Sequence, residues 1–318
     1  MPKTPLIISG SIAIDRIMNF KGRYQDLIHR KKMDALSISV FLDSMEVANG
    51  GVGANIAYSL ALLGEKPILL GSAGSDAASY LGELKASGID TKHVHISKLA
   101  TASFNVMTDS EHNQIGGFYP GAMSDASSLT LEKWANQNAM LCLSAHDPEA
   151  MRMQVQQCKE FGLKLLYDPG QQVNNVSGDD LKAGVLAAEI VIINEYEHSL
   201  LCEKTGITPE KLRATIPLLI ITHGSKGSLL DGSSLKKPFT VKAAYAPTYV
   251  DPTGAGDAYR AGFLYGYLRQ WNIETCGNLG SVIASIIIEH YGTRYHFSRA
   301  DVEARYEDAF GQSIALTD

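Results

Sequence analysis

The stretch Asp251-Pro-Thr-Gly-Ala-Gly-Asp257 places a carboxylate at the mouth of a glycine-rich turn. The residues after it, Ala258-Tyr-Arg-Ala-Gly-Phe-Leu264, have helical spacing, so the turn feeds a helix N-terminus. Gly254, Ala255 and Gly256 leave backbone N–H groups to surround an anion, and the helix dipole adds to that preference. A carboxylate beside an anion hole is costly unless it has work to do. For Asp257 that work is taking a proton from an attacking hydroxyl while the amides hold the charge developing on a transferred group. The plain alternative is an N-cap Asp behind a glycine turn.

A second glycine cluster, Asn49-Gly-Gly-Val-Gly-Ala-Asn55, leads into the apolar helical run Ile56–Leu63, which Gly64 ends. It is not a dinucleotide fingerprint, because Gly51 and Gly53 are followed by Ile56 where a third glycine belongs. No P-loop is present either, since Gly224-Ser-Lys-Gly-Ser228 has neither its spacing nor its residues. What remains is a place where Gly50 and Gly51 let backbone approach a ligand, with Asn55 able to donate and accept hydrogen bonds. Asp15, just past Gly10-Ser11, is either a further ligand carboxylate or an ordinary strand-end turn residue.

Asn194-Glu-Tyr-Glu197 follows the apolar run Ile190–Ile193. An amide and a carboxylate at i, i+3 share one side of an opening helical turn and can hold magnesium through waters, or can form a helix capping pair. Thr222-His-Gly-Ser-Lys-Gly227 follows the run Leu218–Ile221 and is either a phosphate-side loop or a plain turn. Phe104 and Phe118, with Phe41 nearby in sequence, could stack on a base or pack among themselves. Arg260 and Lys226 lie close to these motifs but read equally well as solvated surface charges.

The elements that must position these groups alternate. Apolar runs at Leu6–Ser9, Pro67–Ala73, Met140–Ser144, Lys164–Tyr167, Ile190–Ile193 and Leu218–Thr222 read as strands. Between them Gly53–Leu63, Ala77–Ser87, Glu149–Phe161, Asp179–Ala187 and Glu195–Lys204 read as helices, followed by Gly256–Leu268, Gly277–His290 and Arg299–Ala309. This order predicts an α/β fold with a largely parallel sheet covered on both faces, and ligands beyond the strands' carboxyl ends. Two stretches, Ile14–Asp43 and Ser97–Phe118, carry β-type runs such as Leu36–Leu42 and Phe104–Thr108 and break the rhythm. They predict a small β layer covering the site, so the expected division is a core of 1–14, 44–96 and 119–318 and a lid of 15–43 and 97–118.

With 318 residues, 45% hydrophobic and 19% charged, there is ample material for a core. The net charge of −6 argues against a general nucleic-acid binder. Cys142, Cys158, Cys202 and Cys276 form no CxxC pair and read as reduced thiols rather than zinc ligands or a disulfide framework. Leu6–Ile14 is too short to span a membrane and has no signal-peptide pattern, so we expect no membrane partner and a cytoplasmic setting.

Asp251–Asp257 resembles the signature of the ribokinase-like carbohydrate and nucleoside kinases, the PfkB family, and the likeness extends over nearly the whole chain. It implies the ribokinase-like fold, ATP as cosubstrate, Asp257 as catalytic base and the Gly254–Gly256 amides as anion hole. It further implies that Ser11, Asp15, Gly50, Gly51 and Asn55 hold substrate hydroxyls, and that Asn194, Thr222, Gly224 and Gly227 face ATP. Glu197 would then organise Mg2+, and K+ beside the Asp251–Asp257 loop is implied by the likeness alone. Ser11 stands where the family usually has Asn, and Pro252 where it commonly has Thr. Gln171 and Gln172 replace the Asn and Arg that sugar kinases carry after Asp168-Pro, which disfavours a sugar-phosphate subsite there.

Gly10-Ser-Ile-Ala-Ile-Asp15, Phe118-Tyr-Pro-Gly-Ala-Met-Ser124, Asp147-Pro-Glu-Ala-Met151 and the Gln pair are similar to bacterial adenosine kinases of this fold. That likeness implies phosphorylation of the 5′-hydroxyl of adenosine, with Phe104 and Phe118 against the purine, while Gln171 and Gln172 can pair with base edges or close the polar network of the lid. Another nucleoside, a free sugar such as ribose, or a noncatalytic nucleoside sensor are the alternatives. Lid edges in the family either stay free or pair across a homodimer.

Overall fold

The computed structural model describes residues 4–28 and 37–317. In chain order the elements begin β1 (Leu6–Ser9), β2 (Ala13–Asn19), α1 (Tyr24–Leu27), β3 (Ser44–Gly50), α2 (Val52–Leu62), β4 (Ile68–Gly74) and α3 (Ala78–Ala86). Then come β5 (Val94–Ser97), β6 (Ala102–Thr108), β7 (Gln114–Tyr119), β8 (Met140–Leu143), α4 (Pro148–Phe161), β9 (Lys164–Tyr167), α5 (Gly178–Ala187) and β10 (Ile190–Asn194). The chain ends with α6 (Glu195–Thr205), α7 (Pro209–Thr215), β11 (Leu218–Thr222), β12 (Ser228–Asp231), β13 (Phe239–Val241), α8 (Ala255–Leu268), α9 (Ile273–Ile287) and α10 (Arg299–Phe310).

Nine strands form the main sheet in the order β13-β12-β11-β10-β9-β8-β1-β4-β5. Its pairings are parallel from β11 through β5, and the β12–β13 edge is antiparallel. The central strands are apolar without alternation because both faces are covered. In β1, Ile8 packs into the layer under α2, α8 and α9, while Ile7 packs into the opposite layer with α4, α5 and α6.

Helix ends follow local chemistry. Asp147 caps α4 with Pro148 at its first position, and Gly162 closes it in the left-handed region at φ 66°. The main-sheet strands and the helices expected from the sequence are present with ends shifted by a residue or two, apart from α9, which ends at Ile287 rather than His290 and also begins earlier. That helix starts at Ile273 rather than Gly277, because the Asn272 side chain accepts the Thr275 amide and begins it a turn earlier.

A second sheet, ordered β3-β2-β6-β7, pairs β2 with β6 in parallel and is antiparallel elsewhere. Here the structure corrects the strand expected at Leu36–Leu42. Leu36 lies outside the described residues, residues 37–42 form no strand, and Phe41 is fully exposed. The strand is Ser44–Gly50 instead, a segment expected in the core. It pairs residue for residue with Ala13–Asn19, and the available partner outweighs the β propensity of the preceding apolar run.

Candidate active site

The chemically loaded segments converge past the carboxyl ends of β1, β9, β10 and β11. Asp257 lies in the first turn of α8, half-buried, and its Oδ2 accepts from Asn55 Nδ2 at 2.8 Å. Burial pushes its carboxyl up to about 7; the positive charge of Arg260 and the Asn55 bond oppose that rise, and the Asp168 and Asp15 carboxylates add to it. A carboxyl poised there suits proton abstraction near neutrality. We therefore expect kcat/KM to fall about tenfold per pH unit below pH 7 and to level off above it. A profile flat from pH 5 to pH 8 would contradict that role.

The loop before α8 is held from two sides. Asp251 Oδ1 accepts from the Thr253 amide at 2.9 Å, and its Oδ2 accepts from the Gly292 amide at 3.0 Å. Gly254 has φ +82°, and a Cβ there would sit 2.7 Å from the Thr293 carbonyl oxygen, so glycine is required for both conformation and space. The Ala255 amide is used inside the loop, donating to Pro252 O at 3.2 Å. The amides of Gly256 and Asp257, the next two residues of the same first turn, have no carbonyl four residues back within the helix and are the ones free to face an anion.

Arg260 departs from the sequence expectation of a surface charge. It is 6% exposed and ion-paired with Asp168, itself 1% exposed. A Cβ placed on Gly256 would lie 2.8 Å from Arg260 Nη1, so the guanidinium sits directly beneath the glycine-rich turn. Lys226 is exposed, as expected.

At the start of α2, Gly51 has φ +96°, and a Cβ on it would meet the Ser11 carbonyl oxygen at 2.5 Å. A Cβ on Gly50 would lie 2.5 Å from Asp15 Oδ2, so the glycine pair leaves the Asp15 carboxylate uncovered. Ser11 is buried and its Oγ accepts from the Val52 amide at 3.0 Å, which ties it to the start of α2. Asp15 is half-buried, and burial raises its carboxyl to about 6. Across the small sheet, Asp15 registers with Phe104, and Phe104 with Phe118. Residues directly opposite share a face, so a carboxylate and two aromatic rings, 40% and 48% exposed, stand in one row.

A cavity of ≈ 660 Å³ opens on the other side of the Gly256 turn, lined by Thr222, Gly224, Gly227, Tyr245, Tyr249 and Ser281 among others. Tyr245 and Tyr249 were missed from sequence. Their signal is the Ala-Ala-Tyr-Ala-Pro-Thr-Tyr run just upstream of Asp251, whose small residues and rings suit a ligand wall.

Asn194 does not line this cavity. It forms a reciprocal cap with Glu197: the Asn194 side chain accepts the Glu197 amide, and Glu197 Oε2 accepts the Asn194 amide, each at 2.8 Å. Glu197 is 6% exposed, with its carboxyl raised by burial and by Asp168 against the pull of Arg260. Gln171 and Gln172 lie in a short 3-10 turn after Asp168-Pro169; Gln171 is exposed, and Gln172 Oε1 accepts from Asn175 Nδ2 at 2.8 Å. Among the described residues no group of three or more His, Cys, Asp or Glu could hold a metal.

The pfkB family carbohydrate kinase model matches residues 14–299. A nucleoside kinase of Methanothermobacter thermautotrophicus is 32% identical over 273 residues, 84% of this chain and 87% of that one. The Burkholderia thailandensis nucleoside kinase, solved with inosine, superposes with a TM-score of 0.87 at 31% identity over 97% of this chain and 100% of its own. The same protein solved with ADP and inosine gives 0.83 at 31% identity, covering 97% of each chain. The Methanocaldococcus jannaschii nucleoside kinase, described as a member of the ribokinase family, gives 0.84 at 26% identity over 96% of this chain and 98% of its own. With its mostly parallel central sheet flanked by helices, its second small sheet and its glycine-rich turn before α8, the chain has the ribokinase-like fold and belongs to the pfkB family of carbohydrate kinases, phosphotransferases that act on an alcohol group.

Proposed function

We propose that the chain transfers the γ-phosphoryl of ATP to the 5′-hydroxyl of a nucleoside, with adenosine as the acceptor. The observation that carries this reading is the row Asp15–Phe104–Phe118: a carboxylate suited to a ribose diol, in line with two half-exposed rings suited to a base. The cavity past Thr222 and Gly224 would take ATP, leaving the phosphates between it and Asp257.

In this mechanism Asp15, Gly50, Gly51 and Asn55 hold the ribose, and Ser11 fixes the backbone they rest on. Asp257 takes the 5′-hydroxyl proton as the oxygen attacks phosphorus. The first-turn amides of α8 and the Arg260 charge beneath them stabilise the transferring group. The single Glu197 oxygen outside the cap fits a water-bridged Mg2+ ion carried by the phosphates, where the metal would neutralise their charge. Asn194 serves by holding Glu197, and closure of the small sheet would exclude water. The four free cysteines suit a cytoplasmic setting, and the exposed Met45, Val47 and Ile115 on the outer strands leave a surface for a homodimer.

Phe118→Ala is expected to raise KM for the nucleoside about tenfold or more, with KM for ATP within about twofold, since base–aromatic stacking contributes ~1–3 kcal/mol. Equal effects on the two substrates would mean that Phe118 packs the sheet instead.

A second reading, another nucleoside as preferred acceptor, is favoured by the inosine bound to the Burkholderia relative. ADP release with Mg-ATP, with and without K+, against adenosine, inosine, guanosine, cytidine, ribose and fructose separates the two. Preferred turnover of adenosine supports the first reading, and of inosine or another nucleoside the second. Turnover of a sugar alone would remove the role of the rings. No turnover by folded protein that still binds a nucleoside would identify a sensor.

A further inference from the structure

Asn55 has both ends of its amide engaged. Its Nδ2 donates to Asp257 Oδ2 at 2.8 Å, and its Oδ1 accepts from the Thr293 hydroxyl at 3.1 Å. The residue is 3% exposed, and it links α2 to its two partners, in α8 and in the segment between α9 and α10. An ionised carboxylate only accepts hydrogen bonds. For Asn55 to donate to it, the amide must turn its oxygen away, and a hydroxyl donor on the far side is what keeps it turned. Flipped over, the amide would set its oxygen against the carboxylate.

The neighbours of Thr293 tie the same segment to the rest of the site. Gly292 donates to Asp251, and the Thr293 carbonyl lies against Gly254. The Arg294 guanidinium lies 4.6 Å from the Tyr80 ring centroid, and the Tyr80 hydroxyl donates to Gly50 O at 2.8 Å. Three consecutive residues thus reach the anion-hole loop, the partner of Asp257 and the support of the glycine pair.

We propose that Thr293 is a positioning residue for phosphoryl transfer, its hydroxyl fixing the Asn55 amide in the orientation that donates to Asp257. This rests on the reading of Asp257 as the base. The charged and titratable groups that act on Asp257 are Arg260 on its own helix, Asp168 beyond β9 and Asp15 in β2; Tyr80 on α3 and Cys142 in β8 are electrostatically coupled to it. Only Arg260 and the Asn55 bond favour its ionised form, against burial and the two carboxylates. Without the Thr293 hydroxyl the Asn55 bond is no longer enforced, and Asp257 holds its proton to higher pH.

The test is the pH profile of kcat/KM for Thr293→Val and Thr293→Ser, with Asp257→Asn as control. Thr293→Val should move the acid limb up by about one pH unit and lower kcat at pH 7 about fivefold, with nucleoside KM within about threefold. Activity should return as pH rises past the shifted limb. Thr293→Ser, which keeps the hydroxyl, should restore the limb. An unmoved limb in Thr293→Val, or equal impairment in both variants, overturns the proposal; if the Val variant does not fold, Thr293→Ala is read the same way. Should Asp257→Asn keep activity within tenfold of wild type, the base reading itself has failed. With Asp257→Asn inactive and the Thr293→Val limb unmoved, only the Thr293 role is lost.

Discussion

Asp257→Asn is expected to lower kcat by about 10²–10⁴-fold, the usual worth of a positioned base, while KM for both substrates changes by no more than a few-fold. The amide is nearly the same size, can still accept from Asn55, and leaves the turn and Arg260 in place. What it cannot do is take a proton. The residual rate would be what positioning and the anion hole supply on their own.

The same substitution should not cost stability. The folded protein raises this carboxyl from its ordinary value of 3.8 to about 7, so the native state disfavours the ionised form. That penalty is present in full above pH 7 and disappears below about pH 4, where the group is protonated folded or unfolded. The variant should therefore melt at or above the wild-type temperature at pH 8, with the two converging as pH falls. A kcat within tenfold of wild type would remove Asp257 from the role of base.

The parts that could be read from sequence are those where local chemistry decides. Ile190–Ile193 and Leu218–Ile221 are continuous apolar runs because their strands are buried on both faces, and no other element of that length fits them. The Gly254 and Gly51 turns announce themselves because no other residue tolerates their backbone and contacts. What stayed hidden depends on partners distant in the chain. The edge strand of the small sheet is Ser44–Gly50, chosen by pairing with β2, although Leu36–Leu42 has the stronger β composition. Thr293 looks like any loop threonine until the fold brings it to Asn55, 238 residues earlier. The Asn194–Glu197 spacing shows the reverse case: the capping pattern is visible in sequence and present in the structure, where it uses the Asn194 side-chain oxygen and one of the two Glu197 oxygens.

Arg260 is the clearest case, and its replacement should have the largest effect on stability. Three residues after Asp257 on a helix, it reads as a solvated charge, since its partner Asp168 lies 92 residues away. The pair is buried at the junction of α8 with the end of β9, and the guanidinium also reaches the Ile192 carbonyl at 3.4 Å. Arg260→Met leaves Asp168 charged, buried and unpaired, which should cost about 3–5 kcal/mol, and Asp168→Leu strands Arg260 with a similar loss. The double replacement removes both charges, so urea unfolding should show it more stable than either single variant, with a coupling energy of about 2 kcal/mol or more. Single variants within 1 kcal/mol of wild type, or losses that simply add, would mean that the pair is not coupled. Recovered stability should not bring back full activity. The positive charge under Gly256 would be gone, and with it the bias of the anion hole toward a phosphoryl group and one of the two influences that keep Asp257 ionised. A double variant both stable and fully active would show that Arg260 serves the fold alone.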